Sequence, residues 1–341
     1  MKSVDSVLVW QNLKVIFLSK NFFMKWKKLG KIFDPTKHKL ANNCYEYAQS
    51  PQTLIFDEFV RIYFSTREKD KTGKYVSHIS FIDIDKDFKK IITIHLNTVI
   101  ELGSLGCFDE HGIFPMNIFR DGNRILGYTG GWTRRISVEY DTSIGLAESF
   151  NDGLTFKKIG NGPIVTSSLY EPFLVTDPFV QKYGNVYHMW YIYGIKWIPH
   201  KGKDVPPDRV YKIGHATSVD GISWQKESKQ LISDALNSDE CQALPTVIDH
   251  NNTYHMFFCY REATDFRKNK NRSYRVGYAF SEDLENWIRD DRNAGIDVSA
   301  DGWDSDMVCY PHVFRCEKKV YMLYNGNEFG RYGFGIAVLE D

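Results

Sequence analysis

The sequence predicts an all-β fold: a five-bladed β-propeller closed by an N-terminal strand in the last blade. Three observations predict it. Five prolines, Pro51, Pro115, Pro178, Pro245 and Pro311, open similar segments at spacings of 64, 63, 67 and 66 residues. Each is followed by the same order of short aromatic and glycine-containing runs, without an amphipathic helix between them. The fifth segment stops one strand short of the others, and the N-terminus carries a run that matches the missing piece.

The elements follow in order within each unit. The proline lies in the first strand. An aromatic-rich second strand starts about nine or ten residues later: Arg61-Ile-Tyr-Phe-Ser, Arg124-Ile-Leu-Gly-Tyr, Tyr187-His-Met-Trp-Tyr, Tyr254-His-Met-Phe-Phe and Tyr321-Met-Leu-Tyr-Asn. Hairpin turns precede three of them, at Asp121-Gly122-Asn123, Gly184-Asn185 and Asn251-Asn252. A third strand carries apolar-Gly-x-Ala, at Ile144–Ala147, Ile213–Ala216, Val276–Ala279 and Phe334–Ala337, with a degenerate version at Ser80-Phe81-Ile82. A fourth follows a turn, at Asp152–Phe156, Asp220–Trp224 and Asp283–Trp287. Four-stranded units repeated in this way build a propeller. The units lie near 45–100, 107–165, 170–232, 239–295 and 302–341. Trp26-Lys-Lys-Leu-Gly-Lys-Ile32 resembles Phe156-Lys-Lys-Ile-Gly160, so residues 25–33 are expected to complete the last unit. Residues 24–341 then form one domain.

Residues 1–40 contain nine lysines against two aspartates. The run Val7–Phe23 is apolar but broken by Gln11, Asn12, Lys14 and Lys20, and it lacks a small-residue cleavage site. Residues 1–23 read either as a basic extension lying on an anionic membrane surface, through residues 1–31, or as a poorly ordered leader ahead of Met24. The repeat favours the second.

Composition bounds the function. The 341 residues carry 43 basic and 43 acidic side chains, a balance that argues against nucleic acid as the main partner. No apolar run is long enough for a spanning helix. Six scattered cysteines form no C-x-x-C pair, which fits buried thiols in a reducing cytoplasm. No metal or cofactor site is expected.

In a propeller the first strand of each unit lines the central channel. Acidic residues recur just before the proline: Glu46, Glu110, Glu240 and Asp306 five residues ahead, Asp109 six ahead, Glu171 and Asp304 seven ahead, and Asp177 directly before Pro178. If these converge, like charges raise one another's pKa, so one acid stays protonated beside an ionised neighbour. Glycosidic cleavage uses that pair. Asp109, Glu171, Glu240 and Asp304 are therefore the catalytic candidates. Glu46, Arg67, Glu110, Trp132, Asp177, Arg261, Arg275, Trp303, Asp306 and Asn325 are the substrate-binding candidates, with Trp197 and Tyr310 as further aromatics. Arginines there pair a catalytic carboxylate or bind a substrate anion. The competing structural reading is that acids ahead of a strand cap turns and aromatics pack between units.

These features resemble the furanosidase-type five-bladed propellers of glycoside hydrolase families 43, 32, 68, 117 and 130. Met24–Phe33, Arg61–Arg67, Ser143–Ala147, Glu171-Pro-Phe173, Gly302–Asp306 and Tyr324–Asn327 more closely resemble a bacterial group found beside polysaccharide-biosynthesis genes. That group is similar to the N-terminal region of plant glucosamine inositolphosphorylceramide transferases. Thr176-Asp177-Pro178 and Glu240-Cys241 resemble two family 32 catalytic motifs. They stand in the third and fourth units, outside the blades where that family carries them, and the Asn-Asp-Pro-Asn-Gly nucleophile motif is absent. The resemblance implies a carbohydrate-active enzyme of glycoside hydrolase type, acting on a glycan or activated sugar. The alternatives are a glycosyltransferase-type enzyme of cytoplasmic surface-polysaccharide biosynthesis, with a nucleotide-sugar partner, and a sugar-binding propeller without turnover.

Overall fold

The computed structural model describes residues 24–200, 202 and 205–340. The expectations for residues 1–23 lie outside the described residues. Strand β1 (Trp26–Phe33) comes first. Unit 1 holds β2 (Glu46–Ile55), β3 (Val60–Lys69), β4 (Tyr75–Ile84) and β5 (Ile91–Ile94). Unit 2 holds β6 (Gly112–Asp121), β7 (Arg124–Arg134), β8 (Tyr140–Ser149) and β9 (Lys157–Lys158). Unit 3 holds β10 (Val175–Tyr183), β11 (Val186–Ile198), β12 (Asp208–Ser218) and β13 (Gln225–Lys226). Unit 4 holds β14 (Cys241–His250), β15 (Thr253–Arg261), β16 (Arg275–Ser281) and β17 (Ile288–Arg289). Unit 5 holds β18 (Cys309–Cys316), β19 (Lys319–Asn325) and β20 (Phe334–Leu339).

Within each unit the strands pair antiparallel in chain order. Units 1 and 2 share one sheet only through a parallel bridge between Ser77 and Gly112. In unit 5 the order is β1-β20-β19-β18, so β1 takes the outer place. Two glycines make room for it. A Cβ on Gly333 would stand 1.8 Å from the carbonyl of Phe33, and one on Gly295 1.8 Å from that of Met24. Both have left-handed φ, +104° and +70°, which glycine alone adopts freely.

The hydrophobic core lies in the seams between units. Leu54 and Phe81 of unit 1 pack with Met116 and Ile125 of unit 2. Tyr128 of unit 2 packs with Met189 of unit 3, and Trp190 of unit 3 with Phe258 of unit 4. Phe257 of unit 4 joins Trp26 and Met322 of unit 5, and Leu323 of unit 5 joins Ile62 of unit 1. Small hairpins supply only one buried face each, so burial must come from a neighbour. Hydrogen bonds reinforce two seams: the Tyr63 and Tyr128 hydroxyls donate to the carbonyls of Gly153 and Gly221, at 2.7 and 3.0 Å, in the next unit's turn. No helix among the described residues is long and apolar enough to cross a membrane.

Candidate functional site

Each repeat proline sits on a β-bulge. All five first strands gain one extra residue against their partners, between Gln49 and Gln52, Ile113 and Met116, Thr176 and Phe179, Ala243 and Thr246, and Cys309 and His312. A bulge bends its strand and re-aims a side chain. The residue before a proline ordinarily takes extended backbone. Here Ser50, Asp177, Leu244 and Tyr310 have left-handed φ of 52°, 55°, 48° and 56°, and Phe114 precedes a cis Pro115. Left-handed φ at non-glycine residues, as at these four, is strained backbone that clusters at functional sites.

Phe114, Asp177 and Tyr310 from these bulges line a cavity of about 860 Å³. Its walls come from the ends of second strands (Arg67, Trp132, Arg261) and the starts of third strands (Tyr75, Tyr140, Arg209, Tyr211). Tyr274, Phe266 and Arg267 complete one side. Such a volume suits one or a few sugar rings or a nucleotide-sized ligand.

Asp177 and Glu139 are the two carboxylates among the described lining residues. Glu139 is exposed at the rim and accepts from Arg209 at 3.1 Å. Asp177 is buried, and its Oδ2 accepts the Leu244 amide at 3.2 Å. Burial pushes the Asp177 carboxyl up to about 7, against the opposing pull of the Leu244 amide. That bond also links units 3 and 4. The neighbouring seams carry comparable links, such as Asn117 to Gln52 and to the Val180 amide, both at 3.0 Å. Asp177 therefore belongs to the scaffold as well as to the cavity.

Beside it, the Tyr211 and Tyr274 hydroxyls stand 2.5 Å apart, and Arg261 donates to Tyr211 at 2.8 Å. Burial raises both phenols, so they remain neutral hydrogen-bonding groups.

The four predicted catalytic acids do not meet. Each is buried in its own unit against a cation on the outer strand. Asp109 lies 2.5 Å from Lys158 of β9, without a directed hydrogen bond. Glu171 pairs with Lys226 of β13 and accepts from Tyr191 at 2.6 Å. Glu240 lies 2.5 Å from Arg289 of β17 and accepts the Ala235 and Leu236 amides at 2.9 Å. Asp304 lies 2.7 Å from Lys28 of β1 and accepts from Tyr324 at 3.2 Å. The expectation that these acids converge is corrected. These acids, five to seven positions before the proline, meet the outer strand of their unit and not the cavity.

The substrate-binding candidates divide. Arg67, Trp132, Asp177 and Arg261 line the cavity. The others are held elsewhere. Glu46 pairs with Arg331 at 2.7 Å and also accepts from the Tyr75 hydroxyl. Glu110 accepts the Gly106 amide at 3.0 Å. Arg275 donates to the carbonyls of Tyr274 and Asp306 at 2.9 and 3.0 Å. The Asp306 amide is bound by Asn327 at 2.8 Å. Trp303 stacks on Tyr324 with centroids 5.1 Å apart. Asn325 ties Ser50 and Ala48 of unit 1 to unit 5 through 2.8 Å bonds. Of the further aromatics, Tyr310 lines the cavity and Trp197 is absent from its described lining. Arg209, Arg267, Tyr140, Tyr211 and Tyr274 were missed; they stand at third-strand starts and in a loop, which the proline-centred reading did not search.

No family model matches the chain. Two uncharacterised proteins of Mycobacterium tuberculosis, MT1551 of strain CDC 1551 and Rv1502 of strain H37Rv, are each 34% identical over 319 residues, 93% of this chain and 100% of theirs. Among solved structures, one described as a glycoside hydrolase matches with TM-score 0.71 at 15% identity, over 99% of this chain and 96% of that one. A thermostable family-43 glycoside hydrolase matches with TM-score 0.58 at 14% identity, over 89% and 91%. The β-1,2-mannobiose phosphorylase of Listeria innocua, solved with β-1,2-mannobiose, matches with TM-score 0.62 at 12% identity, over 94% and 95%. These likenesses are of fold.

Proposed function

We propose that this chain, which belongs to the family of the Mycobacterium tuberculosis protein Rv1502, is a carbohydrate-active enzyme of glycoside hydrolase type built as a closed five-bladed β-propeller. Asp177 is its proton donor. The five-blade reading takes the five four-stranded units as blades, with β1 closing the last and β18 touching β2. The fold likeness to glycoside hydrolases and a phosphorylase supports a saccharide as the ligand.

One observation carries the assignment: Asp177 is the buried carboxyl of the cavity, and burial holds its pKa near 7. A carboxylic acid poised at neutral pH can protonate a leaving glycosidic oxygen. Its left-handed backbone fixes the side chain on a rigid inner strand. Two-carboxylate hydrolysis needs a second acid close by. The other carboxylate among the described lining residues is Glu139, exposed and tied to Arg209. The chemistry therefore suits a reaction in which the second reactant brings its own nucleophilic oxygen, as in transfer to an acceptor. Free thiols at all six cysteines accord with a reducing compartment as the site of action.

The test is Asp177→Asn, an isosteric change whose amide oxygen still accepts the Leu244 amide. Turnover on a panel of saccharides and activated sugars should fall by about a hundredfold or more, with no loss of melting temperature. Parent activity should decline as pH rises through about 7, where the proton is lost. Turnover unaffected in Asp177→Asn refutes the proton-donor role. Saccharide affinity without turnover in the parent would make the chain a binding propeller.

A further inference from the structure

The cavity is rich in guanidinium groups, and three of them lack a counter-ion among the described residues. Arg134, Arg135 and Arg209 are matched by Asp70, Asp141 and Glu139. Arg67, Arg261 and Arg267 have no carboxylate within ion-pair distance among the described residues. They are held over aromatic rings instead. Arg67 lies 4.5 Å from the Tyr47 ring, while Arg261 and Arg267 lie 3.5 and 4.4 Å from the ring of Phe266.

Arg261 is the sharpest case. It is 3% exposed. Its Nη atoms donate to the carbonyls of Glu262 and Ala263 and to the Tyr211 hydroxyl, while its Nε has no partner. A buried cation without a matching charge is costly and persists where its surroundings or a ligand compensate it. Arg267 is exposed and lies over the same Phe266 ring, and both guanidiniums line the cavity.

We propose that the ligand of this cavity is a saccharide carrying a phosphoryl or diphosphoryl ester, with the phosphoryl oxygens received by Arg261 and Arg267. This rests on the reading of the cavity as a saccharide site. The planar guanidinium fork matches phosphoryl oxygens bidentately. A single sugar carboxylate brings one charge and leaves most of the unpaired arginines uncompensated. A phosphoryl ester brings nearly two and a diphosphate more. The tyrosines and Trp132 that line the same cavity suit a sugar ring or a nucleobase.

The experiment is isothermal titration of the full chain at neutral pH with hexose 1-phosphate, a nucleoside diphosphate sugar, inorganic phosphate, a hexuronate and a neutral oligosaccharide. The parent, Arg267→Gln, Arg267→Lys and Arg67→Gln are compared. Arg267 is exposed, so its variants should fold. The phosphorylated sugars are expected to bind, to weaken as salt rises, and to lose about tenfold or more in Arg267→Gln, with part restored in Arg267→Lys. Inorganic phosphate binding as tightly as the esters, and equally lost in Arg267→Gln, would keep the oxyanion site but overturn the sugar ester as its source. Binding of the neutral oligosaccharide or the hexuronate alone, or ester affinity unchanged in Arg267→Gln and Arg67→Gln, overturns the inference and leaves the saccharide reading standing. Binding of none of the five overturns both.

Discussion

At position 177 a single carboxyl group serves the seam and the cavity together, and its titration connects stability to activity. The unfolded pKa of an aspartate is ~3.9, whereas burial holds the folded value at about 7. The folded state therefore binds the proton more tightly. The stability that this proton supplies is complete below about pH 4 and is lost as pH rises through about 7. Asp177→Asn removes that loss. It should melt above the parent at pH 8, by a margin on the order of a few kcal/mol at most, and should show no such gain at pH 4. Thermal melts at the two pH values check this; equal melting curves at pH 8 would show that folding does not raise the pKa of the carboxyl. The same residue explains why the sequence reading went only partway. Asp177 was legible as the acid directly ahead of a repeat proline. Its distinction from the other buried acids was not: each of those meets a cation on its unit's outer strand, whereas Asp177 meets the Leu244 amide of the neighbouring unit.

Strands carry the next layer of consequences. The acid before each first strand of units 2 to 5 clamps the chain to the outer strand of that unit. Removing one partner leaves a buried charge unmatched. Glu171→Gln, facing Lys226, should cost about 3 kcal/mol of stability and leave the turnover of the folded fraction near the parent's. A chemical denaturation curve with parallel kinetics separates the two effects. A large loss of turnover with stability intact would return Glu171 to the chemistry. Strand β1 makes a second case. Trp26 is 7% exposed and meets Phe257 edge-on at 5.5 Å. Trp26→Ala should cost about 3–5 kcal/mol. Gly333→Ala drives a methyl into the Phe33 carbonyl at left-handed φ and should cost about 2 kcal/mol or more. Melting temperatures close to the parent's in both would mean that β1 is dispensable to the last sheet.

Across the whole molecule, each unit buries its apolar faces against neighbouring units. The seams run from unit 1 to unit 5 and from unit 5 back to unit 1. Opening any seam exposes two faces together, so the proposed ring should unfold in one cooperative step. Calorimetry should give a van't Hoff enthalpy equal to the calorimetric one. Two resolved transitions would instead indicate units that stand alone, contrary to the ring.

The repeat was readable by itself because its information is local. Proline spacing, hairpin asparagines and strand alternation each act within one unit, and five copies average out local noise. The place of β1 was also readable, since Trp26–Ile32 carries the pattern that the fifth unit lacks. The site was readable only in part. Arg67, Trp132, Asp177 and Arg261 lie where the inner strands and their partners point into the cavity. Which acids share that cavity was decided by tertiary structure. The path of the chain from each outer strand to the next inner one carries Asp109, Glu171, Glu240 and Asp304 to lysines and an arginine at the periphery. Equivalent positions in a repeat share an environment within their units, whereas the bulge at the proline brings Phe114, Asp177 and Tyr310 to the shared cavity. Proximity across units, and the desolvation that follows from it, exists only once the units are packed together.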